Sequence, residues 1–125
     1  MNININIIAH SEQTYNTVGN WFYDQDGTLE IRVSKMNDWR YESLVVVHEL
    51  VEVLLCKHSG VTQQEVDRFD KRFEARRKPG NFDEPGDDEK APYRVQHCVA
   101  TGVERIVAAL LGVSWSEYEA KINSL

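Results

Sequence analysis

The sequence predicts an α+β fold, a small antiparallel sheet of about three strands followed by three to four helices, and three observations carry that expectation. Asn2 to Ile8 alternate, with Ile3, Ile5 and Ile7 on one face and Asn2, Asn4 and Asn6 on the other, which is the period of a half-buried strand. Two further strand patterns, Trp21-Phe22-Tyr23 and Leu29 to Val33, flank Asp24-Gln25-Asp26-Gly27, whose Asp-Gly pair favours a tight turn. The third is the long apolar run from Leu44 to Cys56, broken only by His48, Glu49 and Glu52. One domain spans residues 1–125, with the sheet in 1–36 and the helical part in 41–125.

The helices follow from their end signals. The first begins near Asp38 to Glu42, where Asp38 or Ser43 can cap it, and ends between Lys57 and Gly60. Thr62 to Glu65 is a capping box that opens a second helix, whose Val66, Phe69 and Phe73 make an apolar edge and which stops before Pro79-Gly80. Its Arg68, Lys71, Arg72, Arg76, Arg77 and Lys78 read as a solvated basic face. Asn81 to Lys90 is a turn-rich acidic surface loop. Pro92 suits the first turn of a third helix that runs to about Leu111, and Ser114 to Glu117 opens a short fourth. In the third helix Val95, Val99, Val103, Ile106 and Leu110 form the stripe expected to face the core, and His97, Thr101, Glu104 and Ala108 line a neighbouring face. Trp21, Trp39 and Trp115 read as core and staple residues, His10 and His58 as exposed.

A net charge of −6 argues against a general nucleic-acid binder, which gains affinity by neutralising phosphates. Small molecules or a protein surface are the expected partners; neither nucleic acid nor a membrane is expected, and oligomeric state is left open. Cys56 and Cys98 show no disulfide-like spacing and the start lacks a signal-peptide pattern, so the expected location is the cytoplasm.

The chemistry centres on the interrupted run. A carboxylate on a mostly buried helix is costly unless it is paired, protonated or bound to a metal. His48 and Glu52, four apart, stand on one helical face about 6 Å apart along the axis and can reach one cation. Glu49, turned by about 100°, points beside that cation, where a general base for a metal-activated water belongs. A third ligand must come from elsewhere. His97 is the first choice, with Glu104 and Asp70 as alternatives; Glu104 stands about 10.5 Å further along its helix and suits a supporting role, accepting a hydrogen bond from His48 or Thr101, or pairing with Arg105 or a basic residue of the second helix.

A strand leading to an apolar helix that bears His48-Glu49-Leu50-Val51-Glu52 resembles the minimal core of zincin-type metallopeptidases, over roughly Leu29 to Cys56. The resemblance implies His48 and Glu52 as ligands, Glu49 as base, and zinc as the metal, although the carboxylate at Glu52 moves preference towards manganese or magnesium. Leu29 to Val33 is then the strand expected to hold an extended peptide. The chain also resembles small bacteriophage-encoded proteins, through Glu84-Pro85-Gly86-Asp87 and Ala91-Pro92-Tyr93; that resemblance implies a bacterial host cell and no particular activity. Two other functions compete with the metallopeptidase-like hydrolase. One is a magnesium- or manganese-dependent nucleotide or phosphate hydrolase in which Asp67, Asp70, His97 and Glu104 converge with Glu49 and Glu52. The other is a non-enzymatic phage accessory or inhibitor protein that binds a host protein.

Overall fold

The computed structural model describes residues 1–125 and has the α+β arrangement. Strands β1 (Ile3–Ile8), β2 (Gly19–Tyr23) and β3 (Leu29–Ser34) precede helices α1 (Trp39–Ser59), α2 (Gln63–Ala75), α3 (Arg94–Leu110) and α4 (Trp115–Asn123). Short 3₁₀ turns occupy His10–Glu12 and Pro85–Asp87. Between β2 and β3 the chain turns tightly, with Asp24 Oδ1 accepting from the backbone N–H groups of Asp26 and Thr28 and Gly27 taking the left-handed conformation. The sheet order is β1-β3-β2, and it is mixed: β2 is antiparallel to β3, whereas β1 runs parallel to it. That places β3 in the centre with both edges filled, so it cannot receive a peptide by edge pairing as expected. The edge beside the helices is β2.

Asp38 caps α1 by accepting from Arg40 N at 2.9 Å, and Gly60 ends it at φ 75°. The helix lies over β3 and β2, burying Leu44, Val45, Val53 and Cys56 against Leu29, Ile31 and Val33. Ile3, Ile5 and Ile7 pair with Leu29, Ile31 and Val33 and so share that side of the sheet, but they lie beyond the helix and stay 40–47% exposed. The expected half-burial of β1 therefore fails for want of a covering element.

Helix α3 packs along α1 with the opposite face inward from the one its apolar periodicity suggested. His97, Ala100, Glu104 and Ala108 are buried, while Val95, Val99, Ile106 and Leu110 face outward at 46–82% exposure. The small Ala100 and Ala108 let the two helices approach, and His97 and Glu104 find partners on α1 that no apolar face could offer. Pro92 stands in the turn before α3 instead of its first helical turn. Trp39 is exposed, contrary to its expected place in the core, and so is Cys98.

Candidate metal centre

His48 and Glu52 from α1 and His97 from α3 meet at a buried point. His48 Nε2 stands 3.3 Å from Glu52 Oε2 and 3.2 Å from His97 Nδ1, and His97 Nδ1 stands 2.9 Å from Glu52 Oε2. Ligand atoms held on one zinc ion by bonds of about 2.0–2.2 Å keep about this spacing from one another. The donor set, two imidazole nitrogens and one carboxylate oxygen, is also one that catalytic zinc accepts while retaining an open position. Filled by protons alone, the arrangement is awkward. Were both rings doubly protonated, two N–H groups of like charge would face each other across 3.2 Å.

Partners fix two of the three side chains. His48 Nδ1 faces Glu104 Oε2 at 2.8 Å, and the Tyr118 hydroxyl donates to Glu104 Oε1 at 2.6 Å, so a chain from α4 through α3 orients the His48 ring and aims Nε2 at the centre. Trp21 Nε1 donates to Glu52 Oε1 at 3.0 Å, which leaves Oε2 as the oxygen turned to the two imidazoles. Gly86 packs on the His97 ring so closely that any Cβ there would collide with it. Local sequence does not mark Trp21, Tyr118 or Gly86 for these roles, since each depends on contacts between distant elements.

Burial works against charge throughout the cluster, and the partners decide the outcome. It opposes the Glu52 carboxylate, but hydrogen bonds and charge from His48 and His97 prevail and hold its pKa down at about 2. It opposes the His48 and His97 cations too, yet bonds to Glu104 and Glu52 lift His48 to about 11, and the Glu52 and Glu84 carboxylates beside His97 lift it to about 10. Glu49 has no such help. Burial first, and then the Glu52 charge, raise its pKa to about 8. Its carboxylate makes no hydrogen bond and lies against Gly19 and Val45, where a side chain on residue 19 would displace it.

Of the alternative ligands, Glu104 supports His48 from behind, and Asp70 belongs to a separate network. Asp70 accepts from Tyr93 Oη at 2.5 Å and from Tyr15 Oη at 3.2 Å, and burial raises its pKa to about 6 against the effect of the Tyr93 bond. Asp67 is half-buried on α2 and makes no bond to the cluster. Of the six groups required by the phosphate-hydrolase alternative, Glu52, His97 and Glu104 gather around His48, Glu49 and Asp70 stand outside those bonds, and Asp67 does not reach the cavity that the others line. His10, expected at the surface, is half-buried with Nδ1 2.9 Å from Ser34 Oγ, while His58 is exposed.

All these carboxylates and histidines, Asp67 and His58 excepted, line one cavity of about 680 Å³. Val18 to Trp21 of the β2 edge and the Lys78–Gly86 loop form two of its walls, and Phe82 stands exposed in that loop. No helix in the structure is long and apolar enough by itself to cross a membrane. Protein-family models, curated proteins and solved structures all yield no match to the chain.

Proposed function

We propose that the protein is a metal-dependent hydrolase acting on a peptide or amide bond, with His48, Glu52 and His97 holding zinc and Glu49 as the general base. The observation that carries this reading is the 2.9–3.3 Å triangle of donor atoms, with a partnerless carboxylate next to it on the same helix. When bound, the metal would polarise the scissile carbonyl and make water easier to deprotonate. The chain's own residues supply the remainder. Glu49, with its pKa raised towards neutrality, accepts a proton from the attacking water and can return it to the departing amine. Glu104 and Tyr118 keep His48 in the tautomer with its lone pair on Nε2, and Trp21 keeps Glu52 from rotating.

The β2 edge supports a peptide substrate. Because Val18 O accepts from Ser34 N, its neighbours alternate, and Gly19, Trp21 and Tyr23 turn their backbone groups away from β3. The Tyr23 N–H is taken by Gln63 Oε1 and the Gly19 carbonyl by the Thr17 hydroxyl, while Gly19 and Trp21 are among the residues that line the cavity, beside which an extended chain could lie. The test is zinc-loaded protein incubated with a mixture of peptides of defined sequence, read by mass spectrometry. Glu49→Gln is expected to keep its zinc and lose cleavage by about 10²–10⁴-fold. Cleavage that survives this substitution, or that disappears only together with the metal, contradicts the assignment.

A further inference from the structure

The two imidazoles differ at their outer nitrogens. His48 Nδ1 is matched to Glu104, but His97 Nε2 is buried with no hydrogen-bond partner. Glu84 Oε2 lies only 2.9 Å from it and Asp87 Oδ1 3.5 Å, yet neither is placed to accept a hydrogen bond from a ring N–H. A buried nitrogen flanked at such distances by two carboxylates, without alignment to either, suits a ligand sharing a cation with them better than a donor. His97 itself is only 5% exposed, which makes the unmatched nitrogen costly. A second orphan lies one turn along. Thr101 Oγ1 is buried without a partner, and it lines a cavity of about 200 Å³ together with Glu84, Asp87, Glu104 and Glu119.

We propose that Glu84, Asp87 and His97 Nε2 form a second divalent-cation site, on the outer side of the His97 ring. The inference rests on the reading above, because His97 Nδ1 already serves the inner centre. With both sites filled the ring bridges two ions, one on each nitrogen, and the Nε2 proton is released to solvent as the outer ion takes that lone pair. One nitrogen and two carboxylates, the latter on exposed side chains, make the outer site the weaker and more exchangeable of the two. It also gives the Glu84–Asp87 turn a ligand of its own. Gly86 at its centre lets the backbone approach the ring closely enough for both flanking carboxylates to reach Nε2.

Calorimetric titration of metal-free protein with Zn²⁺, in a buffer that does not coordinate the ion, tests the two sites separately. Wild type is expected to take up two ions per chain in two steps, and the Glu84→Gln/Asp87→Asn variant to keep the tighter step and lose the weaker. Circular dichroism verifies folding, and Asp87→Asn alone, at an exposed side chain, serves if the double variant is disturbed. With Cu²⁺ in both sites the spin-resonance signal should show two coupled ions, and the double variant one isolated ion. Saturation of wild type at one ion, held by His48 and indifferent to Glu84 and Asp87, overturns the outer site and leaves the inner one standing. A single ion that survives His48→Ala but not the double substitution does the reverse, and no uptake at all overturns both.

Discussion

The two faces of α3 divide their residues against the usual preference for water. Inward lie His97, Thr101 and Glu104 with two alanines; outward lie Val95, Val99, Ile106 and Leu110. A helix selected for stability alone would turn the other way, since each exposed valine, isoleucine or leucine forgoes roughly 1.5–3 kcal/mol of burial. What holds the polar face inside is complementarity. His97 meets Glu52 and Glu104 meets His48, and a half-turn rotation would leave His48 Nδ1 buried without its partner and Glu52 with only Trp21 and His48. The contrast teaches that the inward face is held by specific polar pairs and the outward face by none, so substitutions on the two faces should have separable effects.

The largest separation is expected behind His48. Glu104→Gln should weaken zinc binding by about 10–100-fold, and Tyr118→Phe, one bond further out, by about 10-fold, as removing supports of a metal-bound histidine generally does. Competition against a chelator of known affinity measures both. Equal affinity in all three proteins would mean that His48 is not a ligand.

The pH dependence of stability sharpens the same contrast. In metal-free protein Glu49 and Asp70 have pKa values raised from 4.5 to about 8 and from 3.8 to about 6, so folding takes up protons and stability falls as pH rises through those windows. The histidine pair acts in the same direction: its carboxylate neighbours hold protons on it above the ordinary imidazole range, so its contribution is complete below about 6.5 and is lost as pH rises beyond it. Glu52 acts oppositely, but only in acid, its contribution being present above 4.5 and lost as pH falls towards 2. Metal-free protein should therefore melt about 5 °C or more lower at pH 8.5 than at pH 5.5, with a smaller fall in Glu49→Gln. Zinc, which requires deprotonated ligands, should widen the gap between loaded and metal-free melting temperatures over the same range. A metal-free protein that gains stability towards pH 8.5 would contradict this balance.

The smallest effect is expected outside. Ile106→Lys, at 63% exposure, should change stability by no more than about 0.5 kcal/mol and leave zinc affinity unaltered. Denaturant melts and the same chelator competition measure it. A large loss of stability would show that the outward face is covered in solution, by a second copy of the chain or by another partner.

How far the sequence could be read follows the same division. The α1 boundaries were legible from Asp38 and Gly60 because capping is local chemistry, and the shared face of His48 and Glu52 follows from helical geometry alone. The choice of His97 over Glu104 as third ligand rested on donor chemistry, and the structure brings His97 to the centre with Glu104 behind His48. The orientation of α3 was not legible. Periodicity shows which residues share a face, but not which face turns inward, and the longer apolar stripe was the natural choice for the core. The parallel pairing of β1, the support from Trp21 and Tyr118, and the close approach of Gly19 and Gly86 all depend on elements far apart in the chain. Glu84 and Asp87 looked like any acidic surface loop until a buried nitrogen was found between them.

The inner centre is tested most directly by titrating metal-free protein with Co²⁺ and recording its visible absorption, whose intensity reports a low-coordinate site with nitrogen and oxygen ligands. The tight first equivalent should give such a spectrum in wild type and in Glu49→Gln, and fail to do so in His48→Ala and in His97→Ala. An absence of such absorption in wild type, or an unchanged spectrum in His48→Ala, would contradict the metal centre on which the proposed hydrolase rests.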